Sequence, residues 1–231
     1  MSKIVVLDPL SQDGLDLLES AGSIEYEVRT GLSGQALRDT LAEFDGAICR
    51  SGVKITAEAL EGNHRLRAIA RAGVGTDNID REAATRHGIV VMNTPGGNTI
   101  STAEHAITLM LAMSRNVHPA YQSLLEGRWD RKKYMGSQLA GKTLGIVGLG
   151  RIGLSVAKRA RAFEMQVLGY DPFFPASRAK EQGIEICQST AEMLPLVDYL
   201  TVHTPLNDET RNMIGLEQIE QIKKGARLIN C

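Results

Sequence analysis

Residues 1–92 alternate short runs of apolar, mostly β-branched residues with segments whose apolar positions recur at helical spacing. The pattern predicts five strands, at residues 4–7, 24–28, 47–50, 67–71 and 89–92. It predicts helices between them, at residues 14–21, 34–43, 57–61 and 81–86. Strands that alternate with helices form a parallel sheet covered on both faces. The sequence therefore predicts a complete α/β domain, which we place at residues 1–95.

A second alternating series predicts another parallel sheet in the domain that we place at residues 96–231. Its strands are predicted at residues 143–147, 166–170, 184–186, 199–203 and 227–230, with a helix at 154–163. A doubly wound dinucleotide fold has strand order 3-2-1-4-5-6 and continues to a sixth strand. We therefore expect the fifth strand to lie at a bare edge, and the chain to be cut short after it.

Turn-forming residues at 93–98 separate the two series and precede a long apolar helix. Ser101 and Glu104 have the spacing of a capping box, which predicts a helix from residue 102 to about residue 116. The helix is apolar on nearly all sides and must be buried on several of them. Its additional apolar surface can be buried inside the monomer or against a second subunit, and the sequence leaves both open.

The strongest chemical signal is a glycine motif between the predicted strand at 143–147 and the helix that follows it. Gly148, Gly150 and Gly153 have the GxGxxG spacing. The first glycine permits a tight turn, the second lets the backbone approach a pyrophosphate, and the third allows close helix packing. The amides of Arg151 and Ile152 lie at the predicted helix N-terminus, which favours anions.

Asp171 follows the next predicted strand and adds cofactor preference to this motif. A carboxylate in that position accepts hydrogen bonds from the ribose hydroxyls of NAD and repels the 2′-phosphate of NADP. The glycines alone could form a turn that binds nothing, and Asp171 alone could be a turn residue before Pro172. Together, in a strand-turn-helix setting, they predict an NAD site.

Two segments of the first domain could face a small anionic substrate. Arg50 and Ser51 end the third predicted strand, and Val74 and Gly75 lie in a glycine-bearing loop after the fourth. Ligands of parallel sheets bind at the carboxyl ends of strands, and free loop amides can hold a carboxylate. A surface position is the alternative for Arg50, and a solvated loop is the alternative for the basic cluster Arg131, Lys132 and Lys133.

The net charge and the lengths of the apolar runs argue against nucleic acids and membranes as partners. The net charge of −1 gives no basic footprint for nucleic acid or an anionic membrane. The longest apolar run, residues 106–113, is far shorter than the ~20 residues of a membrane helix. The three cysteines form neither a CxxC pair nor an even set, so we expect free thiols, no metal site and a cytoplasmic protein.

Taken together, the motifs resemble the D-2-hydroxyacid dehydrogenase family along the whole chain. The resemblance lies in residues 50–51, 70–78, 92–98, 142–153, 169–172 and 202–205. It implies a flavodoxin-like substrate domain, a Rossmann NAD-binding domain and a homodimer formed through the second domain. It also implies NAD contacts for Val74, Gly148, Gly150, Arg151, Ile152, Gly153, Asp171, Thr204 and Cys231, and substrate contacts for Arg50, Ser51 and Gly75.

The implied reaction is NAD-dependent oxidation of 3-phosphoglycerate at C2, the entry to serine synthesis. Glyoxylate and hydroxypyruvate reductases share much of the pattern and remain an alternative, as do a non-catalytic NAD-sensing, corepressor-like protein and an inactive fragment. The arginine, glutamate and histidine that catalyse the family reaction match no residue up to Cys231. We therefore assign no catalytic residue in this chain, and we expect its five histidines to be structural or exposed.

Overall fold

The computed structural model describes residues 1–231 as two compact units, Met1–Asn98 and Thr99–Cys231. Each unit has its own sheet of five parallel strands and its own apolar core. We describe them in turn as the first and the second unit. The assignment of residues 1–95 as a substrate domain remains a prediction.

The sheet of the first unit has the strand order of flavodoxin-like folds, β2-β1-β3-β4-β5. Its strands are β1 (Ser2–Val6), β2 (Ile24–Val28), β3 (Gly46–Cys49), β4 (Ala68–Arg71) and β5 (Val90–Asn93). Its helices are α1 (Gln12–Ser20), α2 (Gly34–Glu43), α3 (Ala57–Leu60) and α4 (Arg81–Arg86). Every strand pair is parallel, which confirms the predicted fold class.

The core of the first unit explains why these segments form this sheet. Val5, Ala47 and Ile69 come from three neighbouring strands and are buried with Leu37 and Leu41 of α2. The β-branched and small residues pack on the pleated surface, while helix residues four apart cover one face. All the strands run in one direction, so their carboxyl ends meet at a single edge, where the loops carrying Arg50 and Gly75 begin.

The sheet of the second unit has the order β10-β9-β6-β7-β8. Numbered within the unit and read from β8 to β10, this is the 3-2-1-4-5 order of a Rossmann fold, as predicted. Its strands are β6 (Thr143–Val147), β7 (Gln166–Tyr170), β8 (Glu185–Ile186), β9 (Tyr199–Val202) and β10 (Arg227–Asn230). Its helices are α5 (Thr99–Ser114), α6 (Val117–Leu125), α7 (Arg151–Ala162), α8 (Ala176–Glu181), α9 (Thr190–Met193) and α10 (Leu216–Gln221).

Two helices of the second unit begin three residues before their predicted starts. Helix α5 begins at Thr99, so Ser101 lies within its first turn and is not the N-cap of a capping box. Helix α7 begins at Arg151 and not at residue 154, because Gly150 is already its N-cap and Gly153 belongs to its first turn. In both cases turn-forming or small residues conceal the first helical turn in the sequence. No helix of the chain combines the length and the apolarity needed to cross a bilayer.

Helix α5 is buried on one face only. Ala103, Ala106, Ile107 and Met110 lie in the core of the second unit, and α5 packs mainly against α7. Met113, near the C-terminal end of the helix, is 38% exposed. The monomer therefore accounts for part of the apolar surface of α5, and the rest is open to a partner.

A buried polar group joins α5 to two strands of the second unit. The hydroxyl of Ser114 donates to the carbonyl of Met110 at 2.6 Å, which leaves the Tyr199 hydroxyl, 2.7 Å away, to donate to the Ser114 oxygen. Arg227 of β10 donates to the Tyr199 hydroxyl at 2.9 Å. Tyr199 and Ser114 are almost fully buried, so this hydroxyl fixes the end of α5 on the sheet.

We expect Tyr199→Phe to lower the free energy of unfolding by about 1–3 kcal/mol, because the buried Ser114 hydroxyl loses a partner and Arg227 loses an acceptor. Denaturant unfolding followed by circular dichroism measures the change. Tyr121→Phe is the matched control, since Tyr121 is 60% exposed. Equal stability of the two variants would show that the Tyr199 hydroxyl contributes nothing.

Candidate functional site

The glycine turn after β6 has a backbone that only glycine adopts without strain. Gly148 has a φ of 92°, in the left-handed region. A Cβ at Gly148 would lie 2.7 Å from the carbonyl oxygen of His203, so the space is also closed to a side chain. The amide of Gly148 donates to the carbonyl of Tyr170 at 2.9 Å, and this bond ties the turn to the end of β7.

The other two glycines of the motif have different surroundings. A Cβ at Gly153 would lie 2.0 Å from the carbonyl oxygen of Gly148, so α7 packs directly on the turn. A Cβ at Gly150 would meet nothing within 4 Å, so the backbone there is open to a ligand. Gly150 is the N-cap of the 12-residue helix α7. The amides of Arg151 and Ile152 therefore lie in the first helical turn, where backbone donors lack intrahelical partners and anions are favoured.

Asp171 lies directly after β7, next to the glycine turn. One carboxylate oxygen accepts the amide of Leu149 at 2.8 Å, and the other accepts the amide of Phe173 at 2.9 Å. These two bonds hold the carboxylate at the carboxyl end of the sheet. Its position is the one that an acceptor for ribose hydroxyls occupies in a dinucleotide fold.

A cleft of about 270 Å³ opens between the glycine turn and the segment after β9. Four of the predicted cofactor residues line it: Gly148, Gly150, Asp171 and Thr204. Gly153 lies beneath the turn, and Arg151 and Ile152 lie at the start of α7, outside the lining. Cys231 is exposed after β10 and is not part of the cleft, and Val74 belongs to the first unit.

His203 lines the same cleft without a carboxylate partner. Its Nε2 lies 2.9 Å from the hydroxyl of Thr201, which is fully buried. Burial lowers the pKa of His203 below its usual value, so the imidazole is neutral at pH 7. This contact, together with its place after β9, suits a structural and cleft-lining role.

Sequence reasoning missed one wall of the cleft, formed by residues 205–213. Thr210 organises this segment: its hydroxyl accepts the amide of Asn207 at 2.9 Å and donates to the carbonyl of Pro205. The Asn207 side chain in turn accepts the amide of Thr210 at 2.8 Å. Asparagine and threonine three residues apart are a turn signal that could have indicated the fixed loop.

The predicted substrate residues lie at the carboxyl edge of the first sheet. Arg50 and Ser51 follow β3, and Gly75 lies in the loop after β4. Cys49, the last residue of β3, is fully buried, and this burial raises its thiol pKa to about 11. Its thiolate is therefore scarce at neutral pH, as is typical of a structural cysteine.

The cleft fits a dinucleotide. It combines an open backbone at Gly150, a helix N-terminus and a fixed carboxylate at Asp171, the three features that hold the pyrophosphate and ribose of NAD.

Comparisons with known proteins agree with this geometry. The family model described as D-isomer specific 2-hydroxyacid dehydrogenase, NAD binding domain, matches residues 107–231.

Curated relatives match the chain from end to end. It is 47% identical over 231 residues to D-3-phosphoglycerate dehydrogenase of Methanocaldococcus jannaschii and covers 44% of that protein. It is 46% identical over 229 residues, 99% of the chain, to the protein of the same name from Archaeoglobus fulgidus and covers 43% of it. The chain thus spans less than half the length of these relatives.

Solved structures show the same architecture. The TT0316 protein of Thermus thermophilus is 34% identical, with a TM-score of 0.85 over 99% of this chain and 73% of that one. D-lactate dehydrogenase of Aquifex aeolicus, complexed with NAD and lactic acid, is 27% identical, with a TM-score of 0.86 over 99% of this chain and 68% of that one. The chain therefore belongs to the D-isomer-specific 2-hydroxyacid dehydrogenase family, and its second unit is the NAD-binding domain of that family.

Proposed function

We propose that the protein to which this chain belongs oxidises 3-phosphoglycerate to 3-phosphohydroxypyruvate. The hydride leaves C2 of the substrate for NAD, and the hydroxyl proton leaves for a base. The observation that carries the proposal is the end-to-end identity of 47% and 46% with two proteins named D-3-phosphoglycerate dehydrogenase. The nucleotide cleft beside Asp171 supports the choice of cofactor.

NAD, when bound, supplies the hydride acceptor, and the chain's own residues hold it. The amides of Arg151 and Ile152 and the open backbone of Gly150 would receive the pyrophosphate, and the Asp171 carboxylate would accept hydrogen bonds from the adenosine ribose. Thr204, in the segment after β9, lines the cleft. Val74 and Cys231 are further contacts that the family resemblance implies.

The substrate side of the proposal uses the loops of the first unit. Arg50 supplies positive charge, Ser51 a hydroxyl, and the loop at Gly75 backbone amides for the carboxylate or phosphate. The basic cluster also offers positive charge. Its residues Arg131, Lys132 and Lys133 are exposed, and the Arg131 guanidinium lies 6.0 Å from the Trp129 ring centre. Its exposure agrees with the solvated-loop alternative and leaves its charge available to a phosphate.

A different D-2-hydroxy acid is the second candidate substrate. It is favoured by two D-lactate dehydrogenases of similar fold, from Aquifex aeolicus and Escherichia coli, which are 27% and 26% identical to this chain. Glycolate and D-glycerate, the hydroxy acids formed when glyoxylate and hydroxypyruvate accept a hydride at C2, belong to the same group of compounds. A panel of these acids therefore accompanies 3-phosphoglycerate in any assay.

We also propose a homodimer formed through the second unit, in the cytoplasm. Helix α6 and the loop after it expose large apolar side chains, which is the composition of a protein interface. Val117, Tyr121, Leu124, Leu125 and Trp129 are 54%, 60%, 52%, 64% and 71% exposed. The three free thiols suit a reducing compartment.

The test compares the protein from its complete reading frame with the polypeptide Met1–Cys231. We expect both to bind NADH, seen as a change in nicotinamide fluorescence, and the first to form NADH from NAD and 3-phosphoglycerate. For Met1–Cys231 we expect negligible turnover, since none of its residues is assigned as a general base and catalysis by such a base contributes ~10²–10⁴ in rate. Oxidation of another acid of the panel in place of 3-phosphoglycerate would transfer the proposal to that substrate. Failure to bind NADH would overturn it.

A further inference from the structure

The loop that carries Arg50 and Ser51 is held at both ends by two side chains. One carboxylate oxygen of Asp8, two residues after β1, accepts the amide of Arg50 at 2.6 Å and the amide of Val53 at 3.4 Å. The side-chain amide of Asn78 donates to the carbonyls of Arg50 and Val53, both at 2.8 Å. Two side chains thus satisfy the four peptide groups that begin and end the loop, an arrangement that we name the Asp8–Asn78 clamp.

The Asp8 carboxylate is buried in the clamp, and it packs against a residue that has no side chain. Asp8 is only 8% exposed, although it forms no ion pair. A buried carboxylate is costly unless hydrogen bonds stabilise its charge, and the two amides do so. Its second oxygen lies against Gly52, where a Cβ would come within 2.2 Å. The loop therefore has a glycine where it crosses the carboxylate.

Asn78 is anchored before it reaches the loop. Its carbonyl accepts the amide of Ile55 at 2.8 Å, and Ile55 forms a parallel bridge with Ile79. The backbone of Asn78 is therefore fixed, and its side-chain amide has a defined origin. Asn78 lies three residues after Gly75, so the clamp joins the loop after β3 to the loop after β4. These two loops carry all three predicted substrate residues of the first unit.

We propose that Asp8 and Asn78 are positioning residues for substrate recognition. They touch no substrate themselves, but they fix the backbone from which the Arg50 guanidinium and the Ser51 hydroxyl reach an anionic 2-hydroxy acid. The inference rests on the proposed function, because it assigns Arg50 and Ser51 to that substrate. A displacement of about 1 Å in such a loop is enough to cost ~10²-fold in rate through misplaced binding groups.

The first experiment uses Asp8→Ala, Asp8→Asn and Asn78→Asp in the protein from its complete reading frame. Asp8→Ala removes the acceptor of two amides, and Asn78→Asp places an acceptor against two carbonyl oxygens. We expect each to raise KM for 3-phosphoglycerate about tenfold or more, with a much smaller change in the Kd for NADH, because every predicted cofactor residue except Val74 lies in the second unit. Asp8→Asn retains one acceptor oxygen, and we expect a smaller rise in KM.

The matched control is Asp80→Ala. Asp80 caps α4 by accepting the amide of Ala83 at 2.8 Å, two residues beyond Asn78 and outside the clamp. Loss of this cap lowers stability by about 1 kcal/mol, and KM should stay at the wild-type value. The control therefore separates a general loss of stability in the first unit from a displaced loop.

A double-mutant cycle provides the second experiment. In Gly52→Ala the new methyl group collides with the Asp8 carboxylate, so we expect KM to rise as in Asp8→Ala. In the double variant Gly52→Ala/Asp8→Ala the collision is absent. We expect its KM to be close to that of Asp8→Ala alone, well below the product of the two single effects.

The outcomes distinguish the two proposals. Unchanged KM in the Asp8 and Asn78 variants, with melting temperatures lowered as in Asp80→Ala, would overturn the positioning role and leave the proposed function intact. A wild-type protein that oxidises no D-2-hydroxy acid would overturn the proposed function and the positioning role with it. If the wild-type protein prefers another acid of the panel, KM for that acid decides the positioning role by the same criterion.

Discussion

Replacing Gly153 with alanine is expected to weaken NADH binding strongly and to lower the thermal stability of the second unit. The new Cβ would lie 2.0 Å from the carbonyl oxygen of Gly148 and 3.3 Å from a methyl group of Ile146. The nearest atom belongs to the backbone, so no side-chain rotation relieves the collision. Helix α7 must move away from β6, and its N-terminal amides move with it.

Overpacking of this kind costs about 1–3 kcal/mol or more, and we expect the affinity for NADH to fall by at least ~10²-fold, equivalent to two steps of 1.4 kcal/mol. Thermal unfolding and nicotinamide fluorescence measure the two effects on the same sample. A Gly153→Ala variant that melts and binds like the wild-type protein would show that α7 does not depend on its close contact with the turn.

Gly150→Ala is the matched control, because the same methyl group is added three residues earlier in open space. Gly150 has a φ of −71°, which alanine adopts freely, and a Cβ there meets nothing within 4 Å. We expect the free energy of unfolding to change by less than about 0.5 kcal/mol. The affinity for NADH should still fall, since the methyl group lies where the pyrophosphate approaches the backbone. The pair separates damage to the fold from obstruction of the ligand.

The second large effect is expected for Asp171→Ala. The variant loses the acceptor for the ribose hydroxyls and the two bonds that hold the amides of Leu149 and Phe173. A lost hydrogen bond to a charged group contributes about 1.5–3 kcal/mol, so we expect the Kd for NADH to rise at least tenfold. Because the repulsion of a 2′-phosphate also disappears, the Kd for NADPH should rise less or fall.

Titrations of both nucleotides, followed by fluorescence, give the ratio of the two dissociation constants. Asp208→Ala serves as the control for charge, since it removes one carboxylate from an exposed position that does not line the cleft. Its ratio should match that of the wild-type protein. An Asp171→Ala variant that retains the full preference for NADH would show that Asp171 does not determine the choice between NADH and NADPH.

The pattern of apolar residues was sufficient to predict the sheet of the second unit. The bounds of β6, β7 and β10 are those predicted, because each strand is a short run of apolar residues flanked by turn formers. The start of α7 was missed, since the residues from Gly150 to Gly153 look like a loop although they already form the helix N-terminus. A glycine motif predicts the chemistry of such a turn better than its secondary structure.

The Asp8–Asn78 clamp and the turn at Thr210 could not be predicted in the same way. Asp8 and Arg50 are 42 positions apart, and Asn78 and Arg50 are 28 apart. Hydrogen bonds between a side chain and a distant backbone group leave no periodic signal, and they become visible only once the strands are ordered. Parallel strands place the loops after β1, β3 and β4 side by side, and this placement brings Asp8 to Arg50.

The two amides bound to Asp171 leave part of its carboxylate unused. An ionised carboxylate offers about four lone-pair sites, and the amides of Leu149 and Phe173 occupy two of them. The remaining two equal in number the hydroxyl groups of an adenosine ribose. Because the side chain is immobilised during folding, nucleotide binding avoids the ~0.5–1.5 kcal/mol of rotamer entropy that ordering a free side chain costs. The cleft is thus preorganised, and the ribose meets an acceptor that needs no rearrangement to receive it.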